Sequence, residues 1–313
     1  MSKIKILSWK EAQPTFYKMW WQPLLTKYFD LVWLDDTSTY HSPKDSLVIV
    51  RPFIHDWQEK ISQYRTQGYK VIFDDLWERP FDSVVVDEVM TLRSKNFFRL
   101  NESLWWKYLN FDQYSPTLTK TKKFLLLMRL SRPHRDHIYR QLTPILNQAI
   151  YSYVAQGKTL ESDINHSDPN WQRHFDSAWY DSTDFSIVAE TSMKAPTFVT
   201  EKSYKPIAYY HPFVVFGTPG TLAHVRDQGF ETFNHMIDER YDSEQNESQR
   251  FKQVRSIVFD LVAQIEKNPK LFQDPLTQKK LHHNHNTFFN FALVEKLFYD
   301  DILTQIFNFV ESS

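Results

Sequence analysis

The chain of 313 residues is long enough for two domains of ordinary size, each with its own core. Its 37 Lys and Arg residues nearly balance 38 Asp and Glu residues, so the net charge of -1 excludes a global field that would recruit nucleic acid or an acidic membrane surface. The absence of cysteine excludes disulfides and thiolate metal sites, and is typical of a protein from a reducing cytoplasm.

The sequence shows neither a targeting signal nor a glycine-rich phosphate loop. Residues 1–13 lack the sustained apolar core of a signal peptide, and no run approaches the roughly 18 apolar residues of a membrane span. The 5 glycines form neither a GxGxxG loop nor a P-loop, so a phosphate site would need charged side chains and helix N-termini. We therefore expect a cytoplasmic protein without a membrane span.

The first third of the chain alternates between strand and helix patterns. Short apolar runs bounded by polar or turn residues predict strands, and Asp56–Gly68 predicts a helix that ends on a glycine. Such alternation predicts a parallel sheet with helices on both faces. The four predicted strands are Lys3–Ser8, Phe29–Leu34, Leu47–Val50 and Val71–Phe73.

Carboxylates follow the fourth predicted strand. They belong to Asp74, Asp75 and Glu78, of which Asp75 and Glu78 are the preferred pair. A carboxylate at the carboxyl end of a strand can take the proton of a substrate hydroxyl. The alternative is that these side chains cap a helix or interact with Arg79.

A polar linker places a domain boundary near residue 118. The continuous apolar run Phe124–Met128 behind it predicts the first strand of a second parallel sheet. Arg129, Arg132 and Arg135 follow at the turn into a helix, where guanidinium groups and the helix N-terminus can grip a diphosphate. The alternative is a solvated basic turn.

A strand, a loop and a helix start form the second candidate segment. Ser186–Ala189 predicts a buried strand, and Thr200 predicts the cap of a helix that runs to Tyr209. Because ligands bind beyond the carboxyl ends of parallel strands, a lysine here can pair with a diphosphate and a carboxylate can hold a ribose. The alternative for Glu201 and Lys205 is an ordinary i,i+4 surface pair.

The last third continues the same alternation. Phe213–Phe216 and Phe230–Phe233 predict strands, and Arg250–Lys267 predicts an amphipathic helix. Phe288–Val310 predicts one or two aromatic-rich helices. The histidines within residues 282–285 have no carboxylate or cysteine beside them, so they do not predict a metal site.

Three segments resemble a known family. Glu190-Thr191-Ser192, followed by Phe198–Lys205, resembles the ENS…(Y/F)(V/I)TEK signature of α-1,3-fucosyltransferases and of related glycosyltransferases common in phage and marine bacterial genomes, with Thr191 in place of Asn. Arg135-x-x-x-Tyr139-x-x-Leu142 is similar to an R-x-x-x-Y-x-x-L segment of bacterial fucosyltransferases. Residues 222–242 resemble the LRxxGFxTF…IDExYD tail of the phage and bacterial relatives.

The resemblance implies a GT-B fold, an α/β fold with two Rossmann-like domains that face a central cleft. The first domain, residues 1–118, would take the acceptor, and the second, residues 119–290, would bind the nucleotide sugar. A C-terminal helix, residues 291–313, would pack back on the first domain. The sequence lacks the Asp-x-Asp pair of metal-dependent GT-A enzymes, so we expect neither a metal nor a cofactor.

The resemblance also implies an enzyme, a hexosyl- or fucosyltransferase-like glycosyltransferase that inverts the anomeric carbon. The donor would be a nucleoside diphosphate sugar, GDP-fucose by analogy with the family, and the acceptor a hydroxyl of a glycan or another molecule. One of Asp74, Asp75 and Glu78 would act as the base. Glu201 would hold the ribose, Lys202 and Arg135 the diphosphate, and Glu190 the sugar, with Arg129, Arg132, Tyr204 and Lys205 as further donor-binding candidates.

Two alternatives stay open. A glycosyltransferase that acts on hydroxylated bases of phage DNA would share the fold, but it needs a basic groove that the neutral net charge does not support. A catalytically silent GT-B-like binding protein would share the fold without a first-domain carboxylate aimed at the donor.

Overall fold

A computed structural model gives the structure of the chain. The chain divides into two compact units, the first formed by residues 1–109 and 291–313 and the second by residues 110–290. The residues that the structure describes are 5–9, 24–34, 46–50, 56–74, 89–92, 99–100, 102–103, 111–117, 119–160, 176–193 and 197–312.

Unit 1 contains a five-stranded sheet in which all the strand pairs are parallel. The strands lie in the order β2-β1-β3-β4-β5, and helix α1, Trp57–Thr66, connects β3 to β4. Every residue of β3 is buried, as a parallel strand covered on both faces requires. The strands are β1 Lys5–Trp9, β2 Asp30–Leu34, β3 Ser46–Val50, β4 Lys70–Asp74 and β5 Met90–Leu92.

Unit 2 contains a second parallel sheet, of four strands in the order β7-β6-β8-β9. The strands are β6 Lys122–Met128, β7 Ala149–Tyr153, β8 Thr183–Ala189 and β9 Phe213–Phe216. The helices are α2 Pro133–Leu142, α3 Ser177–Asp181, α4 Glu201–Ala208, α5 Thr221–Asp227, α6 Glu247–Lys267 and α7 Pro275–Phe288. The predicted α/β class with parallel, Rossmann-like sheets is therefore confirmed.

The order of strands in unit 2 places a switch point between β6 and β8. The chain leaves β6 through α2 to reach β7 on one side, and the next strand, β8, pairs on the other side of β6. The two connections therefore diverge beside the carboxyl ends of β6 and β8. Open parallel sheets bind ligands at such switch points.

Unit 2 begins at residue 110, before the domain boundary predicted near residue 118. The hydroxyl of Tyr114 donates to Asp181 at 2.5 Å, and the backbone N–H of Thr117 donates to the same carboxylate oxygen at 2.9 Å. The ring of Tyr114 also lies 4.8 Å from that of Tyr209. Through these contacts, residues 111–117 pack against Asp181 and Tyr209 of unit 2.

The C-terminal segment belongs to unit 1. It consists of α8 Phe291–Phe298, a π-helical turn at Tyr299–Leu303 and α9 Thr304–Glu311. The ammonium of Lys70 on β4 donates to the carbonyls of Phe309 and Val310, and Lys27 forms an ion pair with Glu295. Unit 1 is thus built from both ends of the described chain.

One predicted strand is wrong. Phe230–Phe233 forms no strand, although Phe230 and Phe233 are both buried. Phe233 packs edge-on against Phe213 of β9 at 5.4 Å, and Phe230 lies near Tyr204 and Phe288. The two aromatic side chains fill the core from a loop, so their apolar pattern reflects burial and not strand pairing.

Among the helices that the structure describes, none is both long and apolar enough to cross a membrane.

Candidate functional site

The candidate site lies at the carboxyl edge of the unit 2 sheet, at the switch point between β6 and β8. Helix α2 begins after β6, and helix α4 begins after β8 and its loop. Both helices therefore present their N-terminal turns to the same edge. The free N–H groups and the positive dipole end of a helix N-terminus favour an anion.

Arg135 lies in the first turn of α2 and is only 3% exposed. Its Nη1 donates to the carbonyl of Leu130 at 3.3 Å, and its Nη2 reaches the carbonyls of Ala189 and Glu190 at 3.5 and 3.3 Å. Its Nε is buried and has no hydrogen-bond partner among the residues that the structure describes. Burial, and then the charge of Arg132, lower the pKa of Arg135 below its ordinary value. A buried cation held only by long bonds to carbonyls retains capacity for an anion.

Lys202 lies in the first turn of α4, close to the same strand end. Its Nζ donates to Thr191 Oγ1 at 3.0 Å and Thr200 Oγ1 at 3.4 Å. It also forms an ion pair of 2.5 Å with Glu201, in which the two side chains are 23% and 13% exposed. The ammonium is therefore partly accessible and held by hydroxyls and one carboxylate.

Arg135 and Lys202 meet at consecutive residues of one loop. Arg135 contacts the carbonyl of Glu190, and Lys202 contacts the hydroxyl of Thr191. Two cations from separate segments thus converge on the first two residues after β8. Both cations are residues that the resemblance implies for a diphosphate site, and both lie in unit 2.

Glu190 is 0% exposed, and its carboxylate accepts four hydrogen bonds. Oε1 accepts from the backbone N–H of Thr200 at 3.1 Å and the hydroxyl of Ser203 at 2.6 Å. Oε2 accepts from the N–H of Thr191 at 3.1 Å and the hydroxyl of Thr200 at 2.6 Å. A direct contact with a sugar, as predicted for Glu190, would require some of these bonds to break.

The helix cap at Thr200 connects Glu190 to α4. Thr200 Oγ1 accepts from the N–H of Lys202 at 3.4 Å while its own hydroxyl donates to Glu190. The predicted cap is present, and the same oxygen that accepts from the N–H of Lys202 also donates to Glu190. The cap therefore orients the turn that carries Glu201 and Lys202.

The other predicted donor-binding residues lie at varying distances from this centre. Arg132 occupies the N-cap position of α2 without a side-chain capping bond, and its charge lowers the pKa of Arg135. Arg129 and Lys205 are partly buried, the first directly after β6 and the second one turn beyond Glu201. Tyr204 is in the core, where its hydroxyl donates to Gln228 at 2.6 Å and its ring stacks on Phe288.

The predicted base lies on unit 1. Asp74 is the last residue of β4 and pairs with Leu92 of β5. The side chain of Asp74, and all of Asp75 and Glu78, lie outside the described residues. Their role as a base stays a prediction.

Sequence reasoning missed three residues of the site: His134, Thr191 and Ser203. His134 lies 2.9 Å from the carbonyl of Glu190 through Nε2, and burial is the main cause that lowers its pKa. Thr191 and Ser203 bind Lys202 and Glu190 respectively. Thr191 and Ser203 lie inside the two segments that resemble the fucosyltransferase signature, and this position was the sequence signal for them.

A cavity of about 750 Å³ lies beside this loop in unit 2. Its wall includes Pro219 and Gly220, and the carbonyl of Pro219 accepts from the hydroxyl of Thr197 at 3.1 Å. Its charged side chains bind one another or the backbone: Arg226 pairs with Glu239 at 2.9 Å, and Asp242 accepts from the first N–H groups of α5. These bonds account for the charged groups without a ligand.

Within the described part of the chain, no group of three or more His, Asp or Glu residues is arranged to hold a metal ion.

No family model matches the chain, and no curated protein matches it. Among solved structures, the chain is similar to one described as a crystal structure of an alpha1,3-fucosyltransferase with GDP-fucose. The two are 14% identical, the match covers 92% of this chain and 91% of that chain, and the TM-score is 0.44. Function is therefore inferred below from the geometry of the site.

Proposed function

We propose that the chain is a GT-B glycosyltransferase that transfers a sugar from a nucleoside diphosphate donor to a hydroxyl group, with inversion and without a metal ion. The observation that carries the proposal is the convergence of Arg135 and Lys202 on Glu190 and Thr191 at the switch point of the unit 2 sheet. This is where an open parallel sheet binds its ligand.

The charge at the site suits a diphosphate. Within the described ranges, Arg135 has a buried donor without a partner and long bonds to carbonyls, so a phosphate oxygen would satisfy it better than those carbonyls do. Lys202 is partly exposed and can turn from Glu201 to a second phosphate. The N-terminal turns of α2 and α4 add favourable backbone dipoles. Together these groups can stabilise the negative charge of a leaving diphosphate, which is the task of a metal ion elsewhere.

The proposed reaction needs one base. The acceptor oxygen attacks the anomeric carbon while its proton passes to a carboxylate, and the bond from that carbon to the diphosphate oxygen breaks. The electron pair leaves with the diphosphate, which Arg135 and Lys202 neutralise. Glu201 would hold the ribose, and Asp74, Asp75 or Glu78 would supply the carboxylate.

Binding of nucleoside diphosphates tests the donor site. Isothermal titration with ADP, GDP and UDP is expected to show binding of at least one of them to the wild-type protein. Lys202→Ala is expected to weaken it about 10- to 100-fold, because a charge-assisted bond is lost, and Arg135→Lys about tenfold, because the planar fork is lost. Lys296→Ala, an exposed cation on unit 1, is the control and should change nothing. A wild-type protein that binds none of the three would overturn the proposal.

Turnover tests the enzyme against the silent binding protein. Release of the diphosphate from a panel of nucleotide sugars is measured with glycan acceptors and with DNA that carries hydroxymethylated bases. Asp75→Asn or Glu78→Gln is expected to abolish transfer while leaving nucleotide binding intact. Binding without any turnover would favour the silent protein, and turnover with DNA alone would favour the base-modifying enzyme.

A further inference from the structure

We propose that Glu190 is a positioning residue that sets the spacing between the two cations of the diphosphate site; this inference rests on the proposed function. Glu190 stands between α2 and α4 and contacts the first turn of both helices. Its main chain serves one helix and its side chain serves the other.

The main-chain side of this link faces α2. The carbonyl of Glu190 accepts from Arg135 Nη2 at 3.3 Å and lies 2.9 Å from His134 Nε2. Its N–H donates to the carbonyl of Phe216 at 2.9 Å, which fixes the residue at the end of the sheet. Arg135 therefore contacts a carbonyl whose position is fixed by the pairing of Glu190 with Phe216 of β9.

The side-chain side faces α4. The carboxylate binds the N–H and hydroxyl of Thr200 and the hydroxyl of Ser203, all in the cap and first turn of the helix that carries Lys202. It also binds the N–H of Thr191, whose hydroxyl accepts from Lys202. Lys202 is therefore placed by two groups that Glu190 holds.

A carboxylate is required at this position, and an amide of the same shape is insufficient. Each of the two carboxylate oxygens accepts from one backbone N–H, that of Thr200 at Oε1 and that of Thr191 at Oε2. Hydroxyl groups can rotate to accept instead of donate, but a backbone N–H cannot. In Glu190→Gln the side-chain NH₂ must therefore face one of the two N–H groups, and that N–H loses its partner inside the protein.

The chain offers a matched control in Asp242. It is buried like Glu190, and each of its carboxylate oxygens also accepts from a backbone N–H, those of Leu222 at 2.8 Å and Ala223 at 3.0 Å. Asp242→Asn therefore creates the same conflict in the same unit, but at α5. It separates a loss of stability from a loss of positioning.

The test measures inorganic pyrophosphate binding by titration calorimetry and the melting temperature of each variant. Glu190→Gln is expected to raise the Kd at least about tenfold, while Asp242→Asn lowers the melting temperature to a similar extent and changes the Kd less than about twofold. In a Lys202→Ala background the effect of Glu190→Gln on the Kd should fall below about twofold, because the group that it positions is gone. Equal effects of the two buried substitutions on the Kd, or a full effect without Lys202, would overturn the inference.

Two further measurements keep the test decisive. If Glu190→Gln does not fold, Ser203→Ala and Thr200→Val each remove one hydroxyl donor, and each should weaken pyrophosphate binding, Thr200→Val the more because it also removes the helix cap. If the wild-type protein does not bind pyrophosphate, the proposed function fails, and hydrogen exchange at Thr191 and Thr200 then decides the role of Glu190. Faster exchange in Glu190→Gln supports the link between loop and helix, and unchanged exchange refutes it.

Discussion

At the scale of single residues, the site is distinguished by cations whose partners are replaceable. Lys202 forms an ion pair with its neighbour Glu201, while Arg135 is held by carbonyls alone within the described chain. The pair between Lys202 and Glu201 must open if the lysine is to bind a phosphate. Glu201 therefore competes for Lys202 with an anion such as pyrophosphate, which carries no ribose that Glu201 could bind instead.

This competition gives a prediction for Glu201→Gln. Removal of the carboxylate should free Lys202, so the Kd for inorganic pyrophosphate is expected to fall about fivefold, the value of a partly exposed ion pair of about 1 kcal/mol. Titration calorimetry of the two proteins measures the change. The gain should vanish when Lys202→Ala is added, and an unchanged or weaker affinity for pyrophosphate would contradict the prediction.

His211 gives a second residue-scale prediction, for pH. Burial lowers the pKa of His211 to about 3, from an ordinary value of 6.5. Its Nδ1 accepts from Ser186 at 2.7 Å and its Nε2 donates to the carbonyl of Thr183 at 2.6 Å, so the neutral ring is the one that fits. Because the folded pKa is the lower one, this stability is present above pH 6.5 and is lost as the pH falls toward 3.

The expected result is a slope of about 1.4 kcal/mol per pH unit from this group below its unfolded pKa. Urea unfolding of unit 2 between pH 4 and pH 6 measures the slope. His211→Gln should reduce the slope by about 1.4 kcal/mol per pH unit, which corresponds to one proton fewer taken up on unfolding. A variant with the slope of the wild-type protein would show that another group causes the pH dependence.

The sequence predicts the cations of the site better than it predicts Glu190's contacts. Arg135 and Lys202 lie in the first turns of the helices that follow β6 and β8, and parallel strands end at one edge, so their approach to each other follows from local patterns. The four bonds to Glu190 come from residues on both sides of a loop that folds back on itself. No local pattern specifies which side chain enters the interior there.

At the scale of elements, α4 depends on the residue at its N-cap, Thr200. Thr200 supplies the cap for Lys202 and a hydroxyl for Glu190. The helix has only 8 residues and contains Pro206, so it has few internal bonds with which to compensate. Its position must come from the cap and from packing.

Thr200→Val keeps the shape of the side chain and removes all three hydrogen bonds of the hydroxyl: the one that it donates to Glu190 and the two that it accepts from the N–H and the ammonium of Lys202. The free energy of unfolding of unit 2 is expected to fall by about 2 to 3 kcal/mol, about 1 for the cap and the rest for the buried bond to a charged group. Chemical denaturation measures the change. Thr143→Val, whose hydroxyl donates to the carbonyl of Tyr139 at an exposed site, is the control and should shift stability by less than about 0.5 kcal/mol.

Strand prediction succeeds in this chain where a strand is buried on both faces. β3, β8 and β9 are buried at every residue. β3 and β9 appear in the sequence as short, nearly continuous apolar runs, whereas the first half of β8 contains Thr183 and Asp184 and only Ser186–Ala189 was predicted. Phe230–Phe233 fails because its aromatic residues are equally apolar but fill the core from a loop. An apolar run predicts that a segment is buried. Whether the segment forms a strand depends on a partner strand that can lie far away in the sequence.

At the scale of the whole molecule, the division into units does not follow chain order. The last two helices pack in unit 1 through Val294, Phe298, Ile302, Leu303 and Ile306, all of which are buried. The aromatic residues of these helices predict that the helices are buried. Which unit they pack against depends on contacts distant in the sequence, such as those of Lys70 with the carbonyls of Phe309 and Val310.

Phe298→Ala tests this division. Loss of a fully buried phenylalanine costs about 3 to 5 kcal/mol, and the loss should appear in unit 1. Hydrogen exchange by mass spectrometry is expected to show faster exchange in residues 46–74 and unchanged exchange in residues 122–189. Lys296→Ala, an exposed neighbour on the same helix, should leave both regions as they are. Faster exchange confined to residues 122–189 would contradict the assignment.

The split composition of unit 1 has a consequence for biosynthesis. A ribosome releases residues 1–109 first, yet the helices that complete their core emerge only after all of residues 110–290. The nascent first sheet must therefore wait, partly uncovered, while the inserted unit can already fold. Residues 291–313, which follow the inserted unit in the chain, thus complete the unit that residues 1–109 begin.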